Sequence, residues 1–161
     1  MIQGRRVGVV IPARDEESHI EGVLVHLPKT VDLAVVVNDG SVDRTSEAAR
    51  LAKAPCEVVV IDGNGDGVGA AIDRGHRHLL SCWDGPFISV VMAGDGQMNP
   101  DDMDALVQPI LNGTADHVKG NRCLHPEGLN RMPKLRQRAT AVLSLFTTLA
   151  AGQPFGDPQC G

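Results

Sequence analysis

The residues best placed to do chemistry are Gly94-Asp95-Gly96-Gln97, directly after the apolar run Phe87 to Met92 and just before Asn99-Pro100. The apolar run predicts a buried strand. Asn99-Pro100 then opens a helix, with Asn as N-cap and Pro at the first helical position. Asp95 therefore stands just past the carboxyl end of a strand, where open α/β sheets bind ligands. Gly94 and Gly96 let a bulky charged group approach the backbone. A carboxylate followed two positions on by Gln97 suits a hard divalent cation carrying phosphate oxygens. A plain Asp-Gly turn is the other reading of the same residues. Two more carboxylates hold comparable places: Asp39 follows the run Leu33 to Val37, and Asp66 lies close after Glu57 to Ile61. In a parallel sheet the three would share one edge, and would repel each other unless a cation or hydrogen-bond donors compensated them. A nucleotide with a divalent ion supplies both, base and ribose donors for Asp39 and metal for Asp95. Taken singly, Asp39 and Asp66 also read as turn residues.

The elements that must position these groups follow from hydrophobic periodicity. The first strand is Val7 to Ile11, closed by Pro12. A helix follows, with Asp15, Glu16 and Glu17 at its positive end and Ile20, Val23, Leu24 and Leu27 as its buried stripe. Leu33 to Val37 is uniformly apolar, as in a parallel sheet covered on both faces. A second helix over about 43–53 carries Ala48, Leu51 and Ala52 inward. The third strand is Glu57 to Ile61, followed by a glycine-rich turn and a helix over about 70–80. The fourth strand leads to a helix over 101–111 with Met103, Leu106, Val107 and Ile110 on its core face, ended by Gly113. A shorter strand at about 116–119 leads to Gly120-Asn121-Arg122, an irregular loop to 133, and a helix over about 134–151. Four strand–helix alternations with short connections predict an α/β fold, a Rossmann-like parallel sheet with right-handed crossovers.

The totals narrow the function. The 161 residues suffice for one domain with a real core. Three Phe, one Trp and no Tyr provide little stacking surface for bases, and a net charge of −5 disfavours nucleic acid as a partner. The charge is uneven: residues 119–138 carry six Lys or Arg against one Glu, a local excess of positive charge that suits an anionic partner. Cys56, Cys82, Cys123 and Cys160 form no CxxC pair, which argues for reduced thiols in a cytoplasmic protein rather than a zinc site. The apolar run after Arg5-Arg6 is too short for a signal peptide, and nothing approaches the roughly 20 apolar residues of a membrane span. The helix over 134–151 has basic first turns and a largely apolar middle. It could lie in a membrane surface with its arginines at headgroup level, or pack on the sheet or on a partner subunit.

Two motif matches give way. Gly65-Asp66-Gly67-Val68-Gly69-Ala70 fits a dinucleotide-binding pattern. It follows the third strand rather than the first, and no acid ends the next strand about 20 residues on, so NAD ranks last. Asp95, Gln97 and Asn99 have the spacing of a calcium loop, but Pro100 replaces its glycine and Leu106 its bidentate Glu.

In order along the chain stand Val10-Ile11-Pro12-Ala13-Arg14-Asp15-Glu16-Glu17, Asn38-Asp39-Gly40-Ser41-Val42-Asp43-Arg44-Thr45, Gly67-Val68-Gly69-Ala70-Ala71, Gly94-Asp95-Gly96-Gln97, Gly120-Asn121-Arg122 and Asp157-Pro158-Gln159-Cys160-Gly161. Together these resemble family 2 glycosyltransferases of the GT-A fold, and within them the dolichyl- and polyprenyl-phosphate sugar transferases. The resemblance implies a single GT-A domain over 1–161, with a nucleotide-sugar-binding core at 1–120 and an acceptor-side loop and amphipathic helix at 121–161. It implies inverting transfer of a hexose from a UDP- or GDP-sugar to a polyprenyl phosphate, with Mg2+ or Mn2+. By position, Pro12, Ala13, Arg14 and Glu16 would border the nucleotide and Asp39 would hold its base or ribose. Gly67 and Gly69 would pass close to it. Ala93, Gly94 and Asp95 would line the diphosphate, with Asp95 and Gln97 at the metal. Arg122, Arg131 and Arg136 would hold donor or acceptor phosphate, and Asp157 would lie near the acceptor. Asp95, Arg122 and Asp157 are the residues expected to serve catalysis. Two departures accompany the resemblance: Ala93 stands where many members have an acid, and the chain stops at Gly161 where relatives continue. A nucleotide-sugar-binding module without turnover is the alternative. A sugar-phosphate nucleotidyltransferase fits less well, because only Arg14 follows the first strand where a glycine- and arginine-rich loop belongs. A peripheral position on the cytoplasmic membrane face and a homodimer through the helix at 134–151 complete the expectations.

Overall fold

The computed structural model describes residues 2, 4–121 and 134–152, with the backbone alone for 134–138 and 151. The chain divides into two compact units, residues 1–116 and 117–161. In the first unit the elements run β1 (Arg6–Ala13), α1 (Ile20–Val25), β2 (Leu33–Asn38), α2 (Thr45–Leu51), β3 (Glu57–Asp62), α3 (Val68–Cys82) and β4 (Phe87–Val91). A 3-10 turn (Pro100–Asp102) then leads into α4 (Met103–Leu111). The four strands form one sheet in the order β3-β2-β1-β4, with every neighbouring pair parallel. Strands are added outward from β1 to β3, and the chain then returns to place β4 on the other side of β1. That reversal is the topological switch point, where such sheets open a crevice at their carboxyl ends.

Alternation along the two central strands explains why helices cover both faces. Val7, Val9 and Ile11 of β1 and Ala34 and Val36 of β2 turn to one face, against Ile20 and Leu24 of α1, Ala49 of α2 and Met103 and Val107 of α4. Val10, Leu33, Val35 and Val37 turn to the other face, against Ala71 and Leu79 of α3. The closest packing is at glycine. A Cβ on Gly75 of α3 would overlap the methyl groups of Val10, and one on Gly8 would stand 2.6 Å from Leu79 Cδ2. Glycine at these two places lets α3 lie down on β1.

Three details differ from the pattern expected of the sequence. First, β1 continues through Pro12 to Ala13, in register with Val37 and Asn38. The Pro12 carbonyl faces the β4 side, where it accepts from the Gly94 amide. The strand β4 has already ended there at Val91, so the donor that proline lacks is not required. Second, α2 begins at Thr45 and buries Thr45 and Ala49, which leaves Leu51 72% exposed. The Thr45 hydroxyl is anchored to Asp43 and to the Glu16 amide, and that anchor sets the helix phase. Third, residues 116–119 form no strand among the described residues.

In the second unit the described element is α5 (Lys134–Ala151), over the span expected from its periodicity. Val142, Leu145, Phe146 and Leu149 are exposed along it. Among the described residues no helix is long and apolar enough to cross a membrane.

Candidate active site

The carboxyl ends of β3, β2, β1 and β4 bring Asp66, Asp39, Arg14 with Asp15, and Asp95 along one edge, in that order. The loop after β1 is joined to the loop after β2 by a set of crossed hydrogen bonds. The Asp15 amide donates to Ser41 Oγ at 3.0 Å, and Asp15 Oδ1 accepts from the Val42 amide at 2.8 Å. The Glu16 amide donates to Thr45 Oγ1 at 2.8 Å and the Glu17 amide to Asp43 Oδ2 at 3.0 Å. Arg44 returns the contact, pairing with Glu17 Oε1 at 2.7 Å. Asp15 sits at φ +56°, a left-handed conformation that Asp tolerates better than most residues. The Thr45 hydroxyl holds the Asp43 carboxyl below its usual range, helped by the Glu17 and Thr45 amides and opposed by slight desolvation. Deprotonated, Asp43 can accept all of these donors.

Asp39 is the most deeply set acid of the row, 4% exposed. Its amide donates to the Ala13 carbonyl at 2.8 Å, and its Oδ2 accepts from the Gly67 amide at 2.9 Å. Oδ1 is buried with no hydrogen-bond partner. A buried carboxylate oxygen without a donor costs on the order of 1–3 kcal/mol, and such a vacancy asks for an N–H or O–H from a ligand. Gly67, expected to pass close to a nucleotide, is thus tied to Asp39 itself, with φ +97° as the N-cap of α3. Gly69 is open around its Cα.

Neighbouring Asn38 belongs to the scaffold. It donates to Ser46 Oγ at 2.7 Å and accepts from the Ser41 amide at 2.9 Å. Asp62 at the end of β3 takes Ser46 Oγ and Arg50 Nη2, each at 2.6 Å. The Ser46 hydroxyl first and the Arg50 guanidinium second hold its carboxyl below the usual range.

On the other side of the switch point, Gly94 packs on β1. A Cβ there would stand 3.0 Å from Ala13 Cβ and 3.4 Å from the Pro12 carbonyl. Ala13 and Gly94 together thus set Asp95 beside the β1 end. Asp95 is partly buried, and its Oδ1 accepts from the Gln97 amide at 3.0 Å. The amide of Ala93 is turned to Met98 Sδ at 3.5 Å. Arg14 is exposed and makes no ion pair among the described residues, whereas Glu16 is engaged by His19 Nδ1 at 2.9 Å. An open groove of about 320 Å3 runs next to the Asp95 turn, between α1 (Gly22) with its flanking His19 and His26 and the loop at Gly96, Met98 and Pro100. Arg122, Arg131 and Asp157 lie outside the described residues, as does the side chain of Arg136.

The donor set fits a hard cation only in a sparse way. Among the described residues no three acids, histidines or cysteines gather as ligands. Asp95, whose Oδ1 is engaged by the Gln97 amide, is one carboxylate at that edge that could meet a cation. Magnesium-type ions accept this arrangement, because they keep waters and take most of their other ligands from substrate phosphates. Sequence reasoning missed Arg74. Its Nη2 meets Asp66 at 2.5 Å, while its Nη1 is buried without a partner beside Gly63. The signal in the chain was slight: one of two arginines, Arg74 and Arg77, on a glycine-led helix.

A parallel sheet with the strand order 3-2-1-4, a buried carboxylate with one unpaired oxygen after the second strand and a partly buried one after the fourth defines a doubly wound α/β core with its acids along one edge. The family model for glycosyl transferase family 2 matches residues 8–157, and the chain belongs to that family. It is 28% identical, over 95% of its own length and 66% of the relative's, to a UDP-N-acetylglucosamine–dolichyl-phosphate N-acetylglucosaminyltransferase of Methanococcus voltae. It is 33% identical to an uncharacterised protein of Methanocaldococcus jannaschii, over 95% of this chain and 61% of the relative. Among solved structures it is similar to a glucosyl-3-phosphoglycerate synthase from Mycobacterium tuberculosis in complex with Mn2+, UDP-glucose and phosphoglyceric acid. That likeness has a TM-score of 0.52 and 29% identity, and it covers 68% of this chain and 41% of the other. The chain thus spans about two thirds of the length of the curated relatives it matches, and about two fifths of the solved one. The fold is of the GT-A type.

Proposed function

We propose that the chain forms the donor side of an inverting hexosyltransferase that takes a UDP- or GDP-sugar and delivers the sugar to a polyprenyl phosphate. The observation that carries this reading is the vacant Oδ1 of buried Asp39, set at the sheet edge that also presents Asp95. A base or ribose donor would fill the vacancy, with Pro12, Ala13, Arg14 and Glu16 bordering the nucleotide. Asp95, with Gln97 nearby, and the donor's own phosphates would hold Mg2+ or Mn2+, which when bound supplies positive charge to the departing diphosphate. Cleavage of the sugar–phosphate bond leaves negative charge on that diphosphate, so arginines in reach lower the barrier. Arg14 is exposed at that edge. Arg122, Arg131 and Arg136 are assigned to donor or acceptor phosphate by their place in the family pattern. A lipid phosphate is already anionic and needs no strong base, so Asp157 is assigned to orienting the acceptor. The exposed apolar face of α5 and the basic residues before it support a location at a membrane surface.

The test begins with calorimetric titration of UDP, GDP and NAD, each with and without Mn2+. Metal-dependent binding of UDP or GDP is expected; binding of NAD alone overturns the reading. Transfer of radiolabelled sugar is then measured with polyprenyl phosphate and with phosphoglyceric acid as acceptors. Flotation with anionic vesicles, beside analytical ultracentrifugation, separates a membrane-facing α5 from one that joins two copies. A second reading rests on Ala93: with one acid at the diphosphate, the chain binds the donor without turnover. Tight donor binding with no transfer to either acceptor, in a chain extended to the length of its relatives, would establish it.

A further inference from the structure

The strand β3 is an outer strand of the sheet, paired in parallel with β2 from Leu33↔Glu57 to Asn38↔Asp62. One bond just past its end tells which way its peptide groups point. The Gly63 amide donates inward, to the Asn38 carbonyl at 2.7 Å. Along a strand the N–H and C=O of alternate residues turn to the same side. Glu57, Val59 and Ile61 therefore turn theirs to β2, and Val58, Val60 and Asp62 turn theirs outward. Among the described residues these outward groups have no backbone partner. Lysine and proline, which commonly guard an edge, are missing from Glu57-Val58-Val59-Val60-Ile61-Asp62, and its unbroken register leaves no bulge. Its four apolar residues are only half-buried.

We infer that the outer edge of β3 is the surface on which a second copy of this chain docks, strand against antiparallel strand about a two-fold axis at Val60. A two-fold contact sets one patch against its own image, so the patch must complement itself. This edge does. With Val60 opposite Val60, Val58 falls opposite Asp62, and every outward N–H meets an outward C=O. Between these pairs Val59 falls opposite Ile61, a cross-strand pair of β-branched side chains on the face that carries α3. Glu57 falls opposite Gly63, so neither acid of the strand stands opposite an acid. The same axis brings Lys53, exposed in the connection leading into one strand, toward the end of the other, where Asp62 stands. An unrelated extended peptide would satisfy the backbone, but the match of Val59 to Ile61 and of Lys53 to Asp62 is a match of this chain to itself. The product is one continuous sheet of two copies, with their acid-bearing edges facing opposite ways. The contact uses the first unit alone and depends neither on the donor-site reading nor on α5.

The test joins sedimentation of the full chain over a range of concentrations to amide deuterium exchange, with no nucleotide added. A concentration-dependent dimer is expected. The amides of Val58, Val60 and Asp62 should exchange about tenfold or more slower in the dimer than in the dilute chain. On the opposite outer strand, the Met92 amide donates inward to the Val10 carbonyl, so Ser89 and Val91 turn outward there. Their amides should keep their rates within about twofold. Val60→Pro removes the outward amide at the axis and leaves the bonds to β2 in place; it should weaken the dimer about tenfold or more. Val59→Lys sets a cation against Ile61 without touching the backbone and should do the same. It decides the matter should Val60→Pro lower the thermal midpoint. Phe146→Ser on α5 should leave the dimer unchanged. A monomer at every concentration overturns the inference, as does a dimer that survives both β3 variants, is lost with Phe146→Ser, or gains its protection away from β3.

Discussion

Asp39 and Asp95 are both strand-end acids, yet their surroundings give them different tasks. Asp39 is buried with one oxygen unpaired, which suits a neutral donor, whereas Asp95 is only partly buried, which suits a charged group. Asp39→Asn keeps an oxygen for the Gly67 amide but turns an amide N–H toward the vacancy. UDP or GDP affinity should fall about 10- to 100-fold by calorimetry, with little change in thermal midpoint. Ala93→Asp adds a second carboxylate near Asp95, and should lower the Mn2+ concentration at which nucleotide binding saturates. Asp62 makes a pH statement. Its folded carboxyl titrates below the ordinary value of 3.8, so its contribution is present above that pH and is lost as pH falls through the lower folded value. Asp62→Asn should therefore flatten the acid limb of the denaturation profile below about pH 4, an effect that added salt will shrink because the pair with Arg50 is exposed. The two acids could be read from the chain because an apolar run ending in Asp-Gly marks a strand end without any tertiary knowledge. Arg74 could not, because its meaning depends on Gly63, and the two come together only when β3 and α3 close their loop.

At the scale of elements, the four strands of the sheet and the long helices were legible, whereas the strand expected at 116–119 and the phase of α2 were not. The Val-rich runs of β1 and β2 are buried on both faces, and a run that is apolar throughout admits few other states. The stripe Ile20, Val23, Leu24 and Leu27 is buried as its spacing implies. On helix α2, Ala48 and Ala52 pack against the core as expected, but Leu51 does not: Thr45, whose hydroxyl accepts from the Glu16 amide, is buried in the helix's first turn instead. Proline 12 misled for a related reason: its harm depends on what lies on its donor side, and β4 stops short of it. The α3–β1 seam gives a stability prediction. Gly75→Ala would force a methyl into Val10, and should cost roughly 1–3 kcal/mol in urea denaturation with an unchanged m value.

For the whole molecule, the order β3-β2-β1-β4 puts Asp66, Asp39, Arg14 and Asp95 on one edge, and the described residues of the first unit supply that edge. The groups assigned to the acceptor fall in residues 117–161, where charge pattern and family likeness were the available guides. The two halves of the edge are also braced unequally. The β1 and β2 loops hold each other through the amides of Asp15, Glu16, Glu17, Val42 and Arg44, whereas the Asp95 turn is tied through its own Gln97. Written in time rather than in distance, that asymmetry becomes a sequence of exchange events. In deuterated water the five cross-bonded amides should exchange slowly and together before any nucleotide is added, and Thr45→Val should release Glu16 and its neighbours at once. The amides around Gly96 and Gln97 should exchange early and slow only when nucleotide and Mn2+ arrive together. On the proposed reading, the nucleoside meets a surface already set, and the ordering falls on the phosphates.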